Sequence, residues 1–135
     1  MESVILVANR GDLLCDFKEM MRQHFSEALF QSTSGQDEFA VELTRKDQLY
    51  FTYCGKVEGI GWEEDEMKFI SSYFLTPPHV YRLDYRGIEF VKKALLIIAN
   101  SPDYLIDNDC GTLLPGHAFA QKMQQSPTWY WFHDL

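Results

Sequence analysis

Cysteine is scarce and scattered. Cys15, Cys54 and Cys110 are odd in number and form no C-x-x-C pair, so neither a disulfide framework nor a zinc knuckle is indicated. Basic charge is scarce as well: 12 Lys and Arg stand against 20 Asp and Glu, a net charge of −8. That is the wrong sign for a surface that neutralises phosphates, and nucleic acid is a poor candidate partner. Long hydrophobic runs are missing. Val4 to Ala8 is too short for a membrane span or a signal core, and Met1-Glu2-Ser3 supplies no basic flank, so a soluble cytoplasmic protein with no membrane contact is expected. No repeat and no low-complexity segment occurs. The phosphate-loop, dinucleotide, zinc-protease and nucleophile-elbow motifs are absent too, which removes the simplest grounds for an enzyme.

What is present suits one domain over residues 1–135. Hydrophobic residues make up 46% of the chain, and 10 Phe, 7 Tyr and 3 Trp supply large side chains for a core. Val4 to Ala8 reads as a buried first strand. Asn9-Arg10-Gly11-Asp12 turns the chain, with Asp12 in position to cap a helix over 12–25 whose apolar face is Leu14, Phe17, Met21 and Phe25. Gln31 to Gln36 reads as a polar loop. Phe39, Val41 and Leu43, then Leu49, Phe51 and Tyr53, alternate with polar neighbours around Arg45-Lys46-Asp47 and predict an antiparallel hairpin of strands 38–44 and 49–54.

Gly55 to Gly61 reads as a loop. The block Glu63-Glu64-Asp65-Glu66 suits the N-terminus of a helix over 64–74, carried by Met67, Ile70 and Phe74, although Phe69 to Phe74 could also form a strand. Pro77-Pro78 ends that segment, and 79–85 alternates as a third strand. In 87–99, Ile88, Val91, Leu95 and Ile98 share a helix face while Glu89, Lys92 and Lys93 should point outward. Tyr104-Leu105-Ile106 is a short strand, and Pro115 should open a last helix bearing Phe119 and Met123. Trp129-Tyr130-Trp131-Phe132 is too apolar to leave in water and should pack back or join an interface. Together these elements predict an α+β fold, with a mixed, mostly antiparallel sheet and helices packed mainly on one face.

Chemistry-bearing residues are few. His24, His79, His117 and His133 show no ligand spacing, and the three thiols lack an adjacent base or cation that would activate them. Asp107-Asn108-Asp109 offers oxygen ligands at alternate positions, but Thr112 and Ala118 stand where a Ca²⁺ loop needs Gly and Glu. An Asx-turn in which Asp107 and Asp109 brace the backbone is the simpler reading.

The stretch Phe90 to Phe119 carries an amphipathic helix, an Asn100-Ser101-Pro102 turn and a short strand, then Asp107-Asn108-Asp109-x-Gly111-Thr112 and a Leu114-Pro115-Gly116 helix start. It resembles the closing segment of bacterial immunity proteins carried beside contact-dependent or Rhs-type polymorphic toxins. Trp129-Tyr130-Trp131 is similar to their aromatic ends. The resemblance implies recognition without catalysis, cofactor or metal: the protein would bind and neutralise the C-terminal domain of its cognate toxin, with a basic nuclease as the candidate toxin class. Glu63, Glu64, Asp65 and Glu66 are then the densest candidate contact, with Asp107 and Asp109 secondary. Two rivals stand beside it: a small hydrolase or metal-dependent enzyme using Asp107 and Asp109 with a histidine such as His117, and an adaptor that self-associates through its aromatic tail.

Overall fold

A computed structural model describes residues 1–32, 37–57 and 61–131. Its first strand, β1 (Glu2–Ala8), is apolar on both faces and lies inside the sheet. Val4, Leu6 and Ala8 point to one side and Val7 to the other, all fully buried. The chain continues through α1 (Leu14–His24), β2 (Leu29–Ser32), β3 (Glu38–Thr44), β4 (Asp47–Lys56), α2 (Glu64–Tyr73), β5 (His79–Arg86), α3 (Ile88–Ile98), β6 (Tyr104–Asp107), β7 (Leu113–Pro115) and α4 (Gly116–Gln125).

These elements make the α+β fold, with the seven strands in the order β2-β3-β4-β5-β1-β6-β7. The three strands at 38–44, 49–54 and 79–85 are neighbours, as their alternation requires. Every pairing among the described residues is antiparallel, so the mixed component is absent. The reason is geometric. β5 and β6 run the same way because α3 carries the chain back between them, yet β1 lies between the two and runs opposite to both.

Helices α1, α3 and α4 cover one face, the inner one. Phe17 and Met21 from α1, Phe90, Val91, Leu95 and Ile98 from α3, and Phe119 and Met123 from α4 meet Leu6, Phe51, Tyr81 and Leu83 there. Removing each such side chain from water contributes roughly 1.5–3 kcal/mol. Tyr81 also fixes the turn into α1: its Oη donates to Arg10 O at 2.7 Å and accepts from Leu13 N at 3.1 Å. Among the described helices, α2 alone lies on the outer face, where Ile70 meets Val7, Val80 and Leu105.

Several local expectations are corrected by the structure. Asp12 does not cap α1; Leu13 holds that position, and Asp12 pairs with Arg10 at 2.9 Å. Gln31 and Ser32 belong to β2 rather than a loop, held by pairing with β3; residues 33–36 lie outside the described residues. Gly55 extends β4 through a bulge at φ 85° instead of opening a loop; residues 58–60 of the expected loop also lie outside. Pro115 ends β7 and precedes α4 as its cap.

Lys92 is the clearest reversal. It is 5% exposed, not outward, because the C-terminal segment folds over its side of α3. Its Nζ donates to the backbone oxygen of Trp129 and, at 3.3 Å, to that of Pro127, with Glu89 Oε1 at 3.5 Å. Trp129 and Trp131 thus pack back on the domain, and Trp131 Nε1 donates to Tyr85 Oη at 2.8 Å; Phe132 lies outside the described residues. Lys92→Met keeps the apolar stem and removes the ammonium group that donates to the Trp129 and Pro127 carbonyls. It should cost about 1–3 kcal/mol in denaturant unfolding, whereas Lys93→Met, on the exposed side, should stay within about 0.5 kcal/mol of wild type.

Gly116 meets a different constraint. A Cβ there would lie 2.0 Å from Ala99 O and 2.7 Å from Ser101 O, backbone atoms at the end of α3. Gly116→Ala should therefore force α4 off α3 and lower stability by about 2–3 kcal/mol, read in the same unfolding assay.

Candidate functional site

The outer face of the sheet is assembled in rows by strand register. Arg82 on β5 is opposite Ile5 on β1, Ile5 is opposite Asp107 on β6, and Asp107 is opposite Leu113 on β7. The first turn of α2 stands over this row. Between them is an open cleft of about 700 Å³. Glu63, Asp65 and Glu66 line it from the helix, and Asp107 and Asp109 from the β6–β7 turn. Two acidic groups more than forty residues apart in the chain thus converge, while Glu64 does not line the cleft and instead pairs with Lys68 at 3.5 Å.

Each acid has a local reason for its place. Glu63 caps α2 and Glu66 occupies the third helical position, where its Oε1 accepts from Glu63 N at 3.3 Å and Asp65 Oδ1 accepts from Glu66 N at 3.0 Å. This is the capping pattern expected of an acidic helix start. In the β6–β7 turn, Asp107 Oδ1 accepts from Asp109 N at 2.9 Å, as the Asx-turn reading requires. Asn108 does more: its Oδ1 accepts from Cys110 N at 2.8 Å and Thr112 N at 3.1 Å. Asp109 contributes by conformation, with φ at 59°, a left-handed geometry that Asp tolerates better than most residues. Its carboxylate borders the cleft instead of bracing the turn.

Arg82 is the cation of the cleft, and it is already engaged. Its Nε donates to Asp84 Oδ2 at 3.1 Å, and Asp84 Oδ1 accepts from Ser3 Oγ at 2.5 Å. Among the described residues, five carboxyl groups therefore share the cleft with one guanidinium that serves a sixth. Trp62 forms part of the wall. Its buried Nε1, like the buried Nδ2 of Asn108, has no hydrogen-bond partner among the described residues.

The remaining candidates do not join this cleft. His117 is exposed on α4, which packs on the opposite face of the sheet, so the Asp107, Asp109 and His117 arrangement of the hydrolase reading is not assembled. His79 is within 2.7 Å of Tyr53 Oη, and His24 is within 3.0 Å of Met20 O; His133 lies outside the described residues. Burial pushes the Cys54 and Cys110 thiols up, away from the thiolate. Among the described residues, no three His, Cys, Asp or Glu side chains are grouped to hold a metal ion, and no helix is long and apolar enough to cross a membrane. Comparison with protein-family models, curated proteins and solved structures finds no match.

Asp107 is the unusual carboxyl. Only 7% exposed, it is pushed up to about 6 by burial, with the charges of Glu66 and Asp109 adding to the effect and the Asp109 N–H opposing it. The folded state thus holds a proton that the unfolded chain releases near 3.8. The stability that this proton contributes is present at about pH 4 and is lost as pH rises through about 6. Asp107→Asn keeps the Oδ1 acceptor without the charge. It should match wild type at pH 4 and exceed it by about 1–3 kcal/mol at pH 7.5. Thermal unfolding from pH 4 to 8 checks this; parallel profiles for the two proteins would place the titration elsewhere.

Proposed function

We propose that this protein acts by recognition, as a bacterial immunity protein that binds the C-terminal domain of its cognate polymorphic toxin and blocks it. The observation that carries the reading is the convergence of Glu63, Asp65, Glu66, Asp107 and Asp109 on one open cleft, with Arg82 already committed to Asp84. A concave surface lined by one sign of charge focuses its field and steers oppositely charged partners. A basic nuclease, built to grip phosphates, presents the complementary charge. The resemblance of residues 90–119 to immunity proteins points the same way. The aromatic tail offers less to the self-association reading, because Trp129 and Trp131 are buried in their own core. A hydrolytic reading keeps one favourable observation, Asp107 held near 6 in a cleft.

The test is co-expression with the C-terminal domain of the toxin encoded immediately upstream. Growth rescue and a purified complex are expected; a toxin that stays lethal, or no upstream toxin at all, would overturn the reading. Within a complex, Asp65→Lys combined with Asp109→Asn should slow association about tenfold at low salt and flatten its salt dependence. Glu64→Lys, outside the cleft, should do so much less. Equal effects from both variants would assign the steering to overall charge and not to the cleft.

A further inference from the structure

Among the described helices, α2 has the weakest hold on the sheet. Its one fully buried residue is Ile70, whereas α3 buries Phe90, Val91, Ala94, Leu95 and Ile98 along with Lys92. Half-buried Met67, Tyr73 and Phe74 complete its small apolar contact, and Tyr73 Oη donates to Pro102 O at 2.5 Å. Exposed Gly61 precedes the helix and Pro77-Pro78 follows it. Elements with so few buried contacts open at the lowest free energy.

The underside of the first turn faces like charge. Glu63, Asp65 and Glu66 belong to α2, and Asp107 and Asp109 to the turn beneath. From β5 come Arg82 and its partner Asp84, while β1 and β7 contribute the uncharged Ser3, Ile5 and Leu113. We propose that α2 is a hinged flap over the outer face of the sheet, held shut by Ile70 and its neighbours and loosened by carboxylate repulsion between its first turn and Asp107–Asp109. Opening widens the acidic cleft and uncovers Val7, Val80 and Leu105. If the immunity reading holds, a basic side chain entering the cleft replaces repulsion with attraction and closes the flap on the partner. The flap itself needs no partner, so its test stands apart from that reading.

The size of the effect follows from linkage. When α2 is shut, Asp107 is held at about 6; if opening lets it titrate at the ordinary 3.8, opening becomes about tenfold more frequent between pH 5 and pH 7.5. Amide hydrogen exchange of the full chain at these two pH values, corrected for intrinsic rates, reads it directly. Amides of α2 should exchange well before those of α3 and lose about tenfold in protection on going to pH 7.5. Asp107→Asn should abolish that loss. Glu66→Gln, which keeps the reach-back hydrogen bond of the cap, should reduce it, and this second variant decides the matter if the first does not fold. Protection in α2 equal to that in α3, a loss spread equally over both helices, or a loss undiminished in the variant that folds would each overturn the flap.

Discussion

Everything in this molecule is referred to β1. Lying between β5 and β6, it hydrogen-bonds to both, so the meander β2-β3-β4-β5 and the closing pair β6-β7 meet only through it. It also divides the interior. Leu6 faces the broad core under α1, α3 and α4, and Val7 faces the thin layer under α2. A polar side chain between two covered faces would need a buried partner, which is why Val4 to Ala8 is apolar without alternation, whereas Ser3 has its partner in Asp84.

Much of the architecture is legible because it repeats at the period of a strand or a helix. Phe39, Val41 and Leu43, Leu49 and Phe51, and Val91, Leu95 and Ile98 all sit where their spacing puts them. The edge strands β2 and β7 are too short to show a period, and only their partners hold them extended. Lys92 reads as a surface residue by every local criterion. Its burial comes from chain 35 residues downstream. The same limit applies to the cleft: the acidic block and Asp107–Asp109 stand out individually, but their meeting depends on strand order. Arg82 gives no signal beyond the alternation of β5, and its place opposite Ile5 and beside Asp84 follows from register alone.

The cleft sets local and tertiary demands against each other. For α2 by itself, acids in the first turn are favourable, since they answer unpaired N–H groups and the helix dipole. For the folded protein, the same acids stand over a turn that already holds Asp107 and Asp109. Sequences are otherwise locally consistent with their folds, so a conflict kept at a concave site points to use of that site.

The central position of β1 also governs how the chain reaches its native state. Strands β3 and β4 can pair through a short turn as soon as both are made, but Ser3 must find Asp84 across a separation of 81 residues. Closing so long a loop is slow, and contacts of this kind lower folding rates. Until β5 exists, Val4-Ile5-Leu6-Val7-Ala8 has neither of its lateral partners, and it is the most β-prone apolar segment in the chain. The strand that later lies inside the sheet between two partners is therefore, during synthesis, the segment with the longest wait and a strong tendency to stick to other chains.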